Sequence, residues 1–556
     1  MHFSTMVRGS AVLAALSGTA AGIVTSPFKR DLRLSAEFGI HPDILLGQKT
    51  SVKAITSARV GSAVKAEYVS IPIDHSNASV GTYQNRYWVS DQHYKEGGPV
   101  FVYDVGEASA ESSAQAYLVN STTFFNRLVE EFNGIGIVWE HRYYGDSMPY
   151  DVSLDTKPED FQYLTNKQAL ADMPFFAANF TRENYSDVDL TPSGTPWVMV
   201  GGSYAGMRSA FTRHLYPETI YASFASSAPV EARIDMSVYF DQIYDGMVAN
   251  GYLNCTRDIQ AALEYIDEQL SRSKASAAAI KKQFFGEGAE VNSNGDFTNA
   301  LQTIYWYFQS YGFEGGSGGL GAFCKHMETD PNTGAPAPAH GFAATRGKKY
   351  AADRYAAWPV FTEMVNMYFD SNCKKLDATL PASCDFSAPS TDPETISWTW
   401  QYCTEWGYFQ TENYGPRSLL SKFQTLQYAQ EYCYLAFPEA VKKGLFPKRP
   451  QVEATNAETG GWTIRPSNVY WGGGQFDPWR TLSTLAVGTR LAPQGVTHTT
   501  NIPKCNVENE KTLFGYIMPN AEHCFEWRMS FAPAAIARGY FSAALKEWLG
   551  CFEAKR

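Results

Sequence analysis

The run WVMVGGSYAG, residues 197–206, sets a serine among small residues at the end of an apolar stretch. A strand that turns sharply into a helix at such a point lifts the serine hydroxyl clear of the backbone, at the helix N-terminus. Ser203 is therefore the candidate nucleophile. The backbone N–H of Tyr204 is a candidate donor to the negative charge that develops on an attacked carbonyl oxygen. The usual pattern is G-x-S-x-G; Ala205 stands at the second glycine and is still small enough for the turn. The bland alternative is a serine in a glycine-rich turn with no chemistry.

A hydroxyl needs a base, and the base needs an orienting acid. On a sheet with such a turn these follow later in the chain, in the order Ser, Asp, His. Two loops after strand-like runs supply them: NVYWGGGQFDPWR offers Asp477, and LFGYIMPNAEHCFEW offers His523. The chain has ten histidines. His2, His41, His75, His93 and His141 precede the nucleophile, His214 lies in the helix after it, and His326 and His340 fall in a helical stretch between serine and acid. His498, in GVTHTT, is the rival, but no strand leads directly into it. Asp235, Asp241 and Glu522 compete with Asp477, whose strand-end position favours it. Gly106 and Glu107 end the early strand PVFVYDV, where a backbone N–H commonly lends a second oxyanion donor; an ordinary turn with a solvated carboxylate is the competing reading.

Elements that alternate strand and helix must hold these loops, which argues for a parallel sheet covered on both faces. Strand-like runs and helices alternate to about residue 230, with one helical stretch expected over residues 110–132. A mostly helical, cysteine-rich stretch follows, and strands return before a closing helix. The expected layout is a signal peptide (1–22), a pro-segment or extension (23–60), a first sheet part (61–230), a helical cap insertion (231–455) and a second sheet part (456–556). At 556 residues and 44% hydrophobic content the chain is globular and larger than one ordinary domain. Net charge is −11 with no Lys/Arg-rich run, which argues against nucleic acid. Arg8 followed by a short apolar, small-residue stretch has signal-peptide anatomy, and Lys29-Arg30 is a possible dibasic processing site. No stretch is long and apolar enough to span a membrane. Export agrees with five sequons, at Asn77, Asn120, Asn179, Asn184 and Asn254, and with nine cysteines in no metal-ligand spacing. Pairing in chain order (255–324, 373–384, 403–433) is one arrangement among many, and the odd count leaves one thiol over.

The blocks EHRYYGDSMPY (140–150), GGSYAGM (201–207), SAPVEA (227–232), CTEW (403–406), GGWTIRPSNVYWGGGQFDPWR (460–480) and His523-Cys524 resemble, in order, those of the lysosomal Pro-X carboxypeptidase and dipeptidyl peptidase two family of serine peptidases. Fungal secreted acid prolyl endopeptidases look closest. The resemblance implies an α/β-hydrolase fold with a helical, disulfide-containing cap, and a triad of Ser203, Asp477 and His523. It implies that Met207 and Trp479 line a pocket for proline. Ala205 and Arg208 depart from the family pattern, and Arg208 puts the pocket's shape in question. No cofactor and no metal is implied; the partner expected is a proline-containing peptide or protein, with no nucleic acid or membrane, and the chain a monomer or homodimer. End-specificity stays open: Glu107, Asp104, Glu140 and Glu405 are candidate anchors for a substrate amine. The location expected is extracellular, or an acidic lysosome- or vacuole-like compartment. A secreted esterase or lipase, or a non-catalytic binding protein on the same fold, are the alternatives.

Overall fold

The computed structural model describes residues 27–44, 46, 64–493, 495–508 and 511–554. The expected leader, 1–22, lies outside these residues, as does much of the 23–60 extension. Lys29-Arg30 falls inside a helix, α1 (Pro27–Glu37).

The strands are β1 (Ala66–Pro72), β2 (Thr82–Ser90), β3 (Val100–Asp104), β4 (Ile135–Trp139), β5 (Trp197–Gly202), β6 (Ala222–Ser226), β7 (Arg233–Asp235), β8 (Gly407–Phe409), β9 (Val469–Gly474), β10 (Thr497–Thr499) and β11 (Thr512–Met518). Nine of them form one sheet in the order β1-β2-β4-β3-β5-β6-β9-β11-β10. The β1–β2 and β2–β4 pairs are antiparallel, and from β4 onward every pairing is parallel. Every residue of β3, β4, β6 and β9 is buried. Such strands are covered on both faces, which is why they read as unbroken apolar runs rather than alternating ones. This is an α/β-hydrolase fold.

The chain leaves the sheet after β6 and returns at β9. Between them lie mostly helices, including Val238–Ala249 and Leu253–Arg272, and a small parallel sheet of β7 and β8. Disulfides 255–324, 373–384 and 403–433 hold this segment, and Cys505–Cys551 ties the region after β10 to the chain's end. Cys524 is free and buried. The helical stretch expected over 110–132 is two helices, Ala114–Val119 and Phe124–Glu131; Thr123 ends the break by capping the second through Asn126 N. Among the described residues, no helix is long and apolar enough to cross a membrane.

The parallel order brings four loops to one rim: those after β3 (Glu107), β5 (Ser203), β9 (Asp477) and β11 (His523). Ligands bind outside the carboxyl ends of such strands.

Candidate active site

Ser203 links β5 to helix α2 (Tyr204–Leu215) with φ 61° and ψ −128°. That left-handed conformation is costly for a serine, about 1–3 kcal/mol, and persists only where the surroundings enforce it. They do so by crowding. A Cβ on Gly202 would lie 2.6 Å from Trp527 Nε1 and 2.8 Å from Cys524 Sγ. Ser203 N also donates to Ser226 O on the neighbouring strand at 2.9 Å. Tyr204 opens α2, so its N–H belongs to the first turn, which has no partner within the helix.

His523 Nδ1 lies 2.9 Å from Asp477 Oδ1, and both side chains are sealed from solvent. The same carboxylate oxygen accepts from Trp479 N at 2.9 Å, which fixes the acid at the start of its turn. His523 Nε2 is buried without a hydrogen-bond partner of normal geometry among the described residues. Burial disfavours the imidazolium, but Asp477, and behind it Cys524, outweigh burial and hold His523 well above the ordinary histidine value.

The rivals sit elsewhere. His498 is on β10 at the sheet edge, opposite Leu513. Asp241 pairs with Arg490, Asp235 binds Thr411 and Ser237 N, and Glu522 packs against Gly312.

Ser203 and His523 line one cleft. Its apolar wall is Met207, Pro229, Tyr239, Tyr408 and Trp479. The Trp479 indole stands nearly perpendicular to both Tyr239 and Tyr408, at 5.9 and 5.3 Å between ring centres. Sequence reasoning missed Gln309, from helix α3 (Trp306–Tyr311) of the segment between β6 and β9. Its Oε1 accepts from both Trp479 Nε1 (3.0 Å) and Tyr239 Oη (2.9 Å), and its carbonyl accepts from His523 N. Nothing in the local sequence marks this glutamine.

Gly106 does not offer a free donor: its N–H donates to Asp104 Oδ1 at 2.8 Å. It serves by its size instead, since a Cβ there would lie 3.2 Å from Ala205 Cβ. Asp104 Oδ2 accepts from Arg208 Nε at 2.9 Å. Arg208 is thus turned beneath the elbow and is not part of the cleft lining.

Of the four candidate amine anchors, Glu107 lines the cleft. Asp104 is committed to Gly106 and Arg208, and Glu140 to Arg86, Ala110 N and Ser147. Glu405 is not part of the cleft lining; it is partly buried and accepts from Asn166 N, at a helix start. Burial pushes its carboxyl up to about 8. Among the sequons, Asn77, Asn179 and Asn184 are exposed, while Asn120 and Asn254 are partly buried.

The family profile described as Serine carboxypeptidase S28 matches residues 72–502. A probable extracellular serine carboxypeptidase of Arthroderma benhamiae is 28% identical over 459 residues, 78% of this chain. The match spans 61% of that relative's length. Mouse thymus-specific serine protease is 26% identical over 512 residues, 88% of each chain. Among solved structures, an esterase from Pyrobaculum calidifontis aligns over 95% of this chain and 94% of its own, at TM-score 0.33 and 10% identity. The parallel sheet order and the elbow at Ser203 define the fold. With the profile spanning most of the chain, the protein belongs to the serine carboxypeptidase S28 family and is a serine peptidase.

Proposed function

We propose that this protein cleaves peptide bonds after proline through an acyl-enzyme on Ser203. One observation carries the reading: the buried Asp477–His523 hydrogen bond shares a cleft with a strained serine and an apolar, ring-lined wall. Ser203 Oγ attacks the scissile carbonyl carbon, and His523 Nε2 takes its proton. Asp477 holds the imidazole in the tautomer that leaves Nε2 free to accept. The tetrahedral oxyanion turns to the N–H of Tyr204. The imidazolium then protonates the leaving amine, and water repeats the cycle to free the acid. A pyrrolidine ring is rigid and apolar, and it suits a wall of thioether and aromatic faces at Met207, Tyr239, Tyr408 and Trp479.

The same reading places the protein outside the cytosol. Four disulfides and the exposed sequons at Asn77, Asn179 and Asn184 support export and glycosylation.

The test is proline-containing peptides, free or blocked at either end, with products read by mass spectrometry and Ser203→Ala as control. Cleavage after proline by the wild type alone is expected. No cleavage sinks the peptidase specificity; equal cleavage by Ser203→Ala sinks the nucleophile.

A further inference from the structure

Helix α1 lies in the cleft. Arg30, Leu32 and Arg33 line the same space as Ser203 and His523. Its apolar side is firmly seated: Leu32 and Leu34 are at most 2% exposed, and just beyond the helix end Ile40 is buried and accepts at its carbonyl from Tyr311 Oη at 3.0 Å. Its two arginines point to two carboxylates that the hydrolytic step does not use. Arg33 Nη1 is 3.5 Å from Glu107 Oε1, and Arg30 pairs with Glu394, whose other oxygen accepts from Ser109 N at 2.9 Å.

Each of these carboxylates is only 12% exposed at its side chain. Two carboxylates so withdrawn from water are costly unless cations meet them. The Arg33–Glu107 contact is loose: Glu107 Oε2 is buried without a hydrogen bond, and Arg33 Nε, also without one, meets only Glu37 Oε1 of its own helix at 4.0 Å. A pairing at the outer limit of a hydrogen bond, with unsatisfied polar atoms on both sides, leaves room for a better-fitting cation. Guanidinium offers a bidentate fork that this geometry does not exploit.

We propose that Glu107 and Glu394 form a cation subsite of the cleft that takes an arginine or lysine side chain of the substrate peptide, and that α1 keeps it shut by supplying Arg33 and Arg30 in its place. The helix is then an internal competitor for basic peptides. The proposal rests on the reading that peptides bind in this cleft beside Ser203.

The experiment uses the full chain and blocked peptides with one proline and a single Arg, moved through the positions flanking it, against Gln at the same position. In Arg30→Gln/Arg33→Gln, kcat/KM for the best Arg peptide should rise about 10-fold or more over wild type, the scale of one charge-assisted contact, with Gln peptides rising less. Adding Glu107→Gln/Glu394→Gln should erase the Arg-over-Gln preference while Gln peptides are still cleaved. Should the double arginine variant not melt cooperatively, Arg30→Gln alone replaces it. An Arg-over-Gln ratio unmoved by the glutamate changes overturns the subsite, and unmoved by the arginine changes overturns the helix as its occupant. Binding of the same peptides to Ser203→Ala, followed by fluorescence anisotropy, separates this from the peptidase reading. If nothing is cleaved but Arg peptides still bind more tightly than Gln peptides, and the glutamate changes abolish the difference, the subsite stands and the peptidase reading falls. Equal binding of both peptides overturns the subsite.

Discussion

Asp104 and Arg208 form an ion pair sealed from solvent, 2.9 Å from Oδ2 to Nε, between the end of β3 and the helix that follows Ser203. The other oxygen of the same carboxylate holds Gly106 N. One side chain thereby fixes the loop that carries Glu107 against the helix that begins at Ser203. Removing one partner strands a buried charge, which costs about 3–5 kcal/mol. Arg208→Met should lower stability by that order and displace the Glu107 loop. Denaturant melts with kinetics on the same sample check it. A variant as stable as wild type would show that the pair does not hold the rim together.

On the proposed mechanism His523 must be neutral to accept the Ser203 proton, yet Asp477 holds it in the charged form to a pH above the ordinary histidine value. The acid limb of kcat/KM should therefore lie above about 6.5, the unperturbed value. Asp477→Asn removes the main stabiliser of the imidazolium. It should move the limb to lower pH and cut kcat by about 10^4-fold, the loss seen when a serine protease triad loses its acid. A limb that does not move would mean that another group sets it.

The elbow was legible because its requirement is local: a strand, then small residues crowded around one serine. The meeting of Asp477 with His523 was legible by chain order and by their lying after strand-like runs. What stayed hidden depends on contacts distant in sequence. Asp104 and Arg208 are 104 positions apart, so from sequence Arg208 only puts the pocket's shape in question, whereas it is the counter-ion of Asp104 beneath the elbow. Gln309 reaches Trp479 across 170 positions. Glu405 sits in a recognisable block, but its carboxylate serves a helix start rather than the cleft. Gly106 was placed correctly at the turn, but its N–H is spent on Asp104 two residues back, a local bond that sequence offers without requiring.

Several buried or partly buried carboxyls favour an acidic medium. Burial raises Glu405 to about 8 and Glu526 to about 7, and burial beside the Asp258 carboxylate raises Glu328. Between the unfolded value near 4.3 and these folded values, the unfolded chain gives up protons that the folded chain keeps. Stability then falls as pH rises. His523 adds the same sign: its contribution is full below about 6.5 and is lost as pH climbs through its raised folded value. The melting temperature should be higher at pH 5 than at pH 8.5. Glu405→Gln, neutral at every pH, should shrink that difference. Calorimetry across pH decides, and a melting temperature that rises with pH over this range would contradict the assignment. Catalysis and stability then pull in opposite directions, one gaining and the other losing as pH increases.

Trp479 is the ring through which the acid's turn, the apolar wall and the segment inserted between β6 and β9 are joined. Its backbone N–H donates to Asp477, its indole N–H to Gln309, and its face closes the wall beside Tyr239 and Tyr408. Trp479→Phe keeps an aromatic wall but deletes the indole donor, leaving Gln309 Oε1 with Tyr239 alone. Trp479→Ala removes the wall as well. If the wall recognises proline, Trp479→Ala should reduce kcat/KM for a proline peptide by about 10–200-fold, the range for lost apolar pocket contacts, while Trp479→Phe loses much less. A small phosphonate that contacts only the nucleophile should label Ser203 in both variants at near wild-type rates, because the Asp477–His523 bond does not pass through the indole. If Trp479→Ala instead lost labelling and proline cleavage together, the ring would be acting through the triad's geometry, and the proline wall would have to be sought among Met207, Tyr239 and Tyr408.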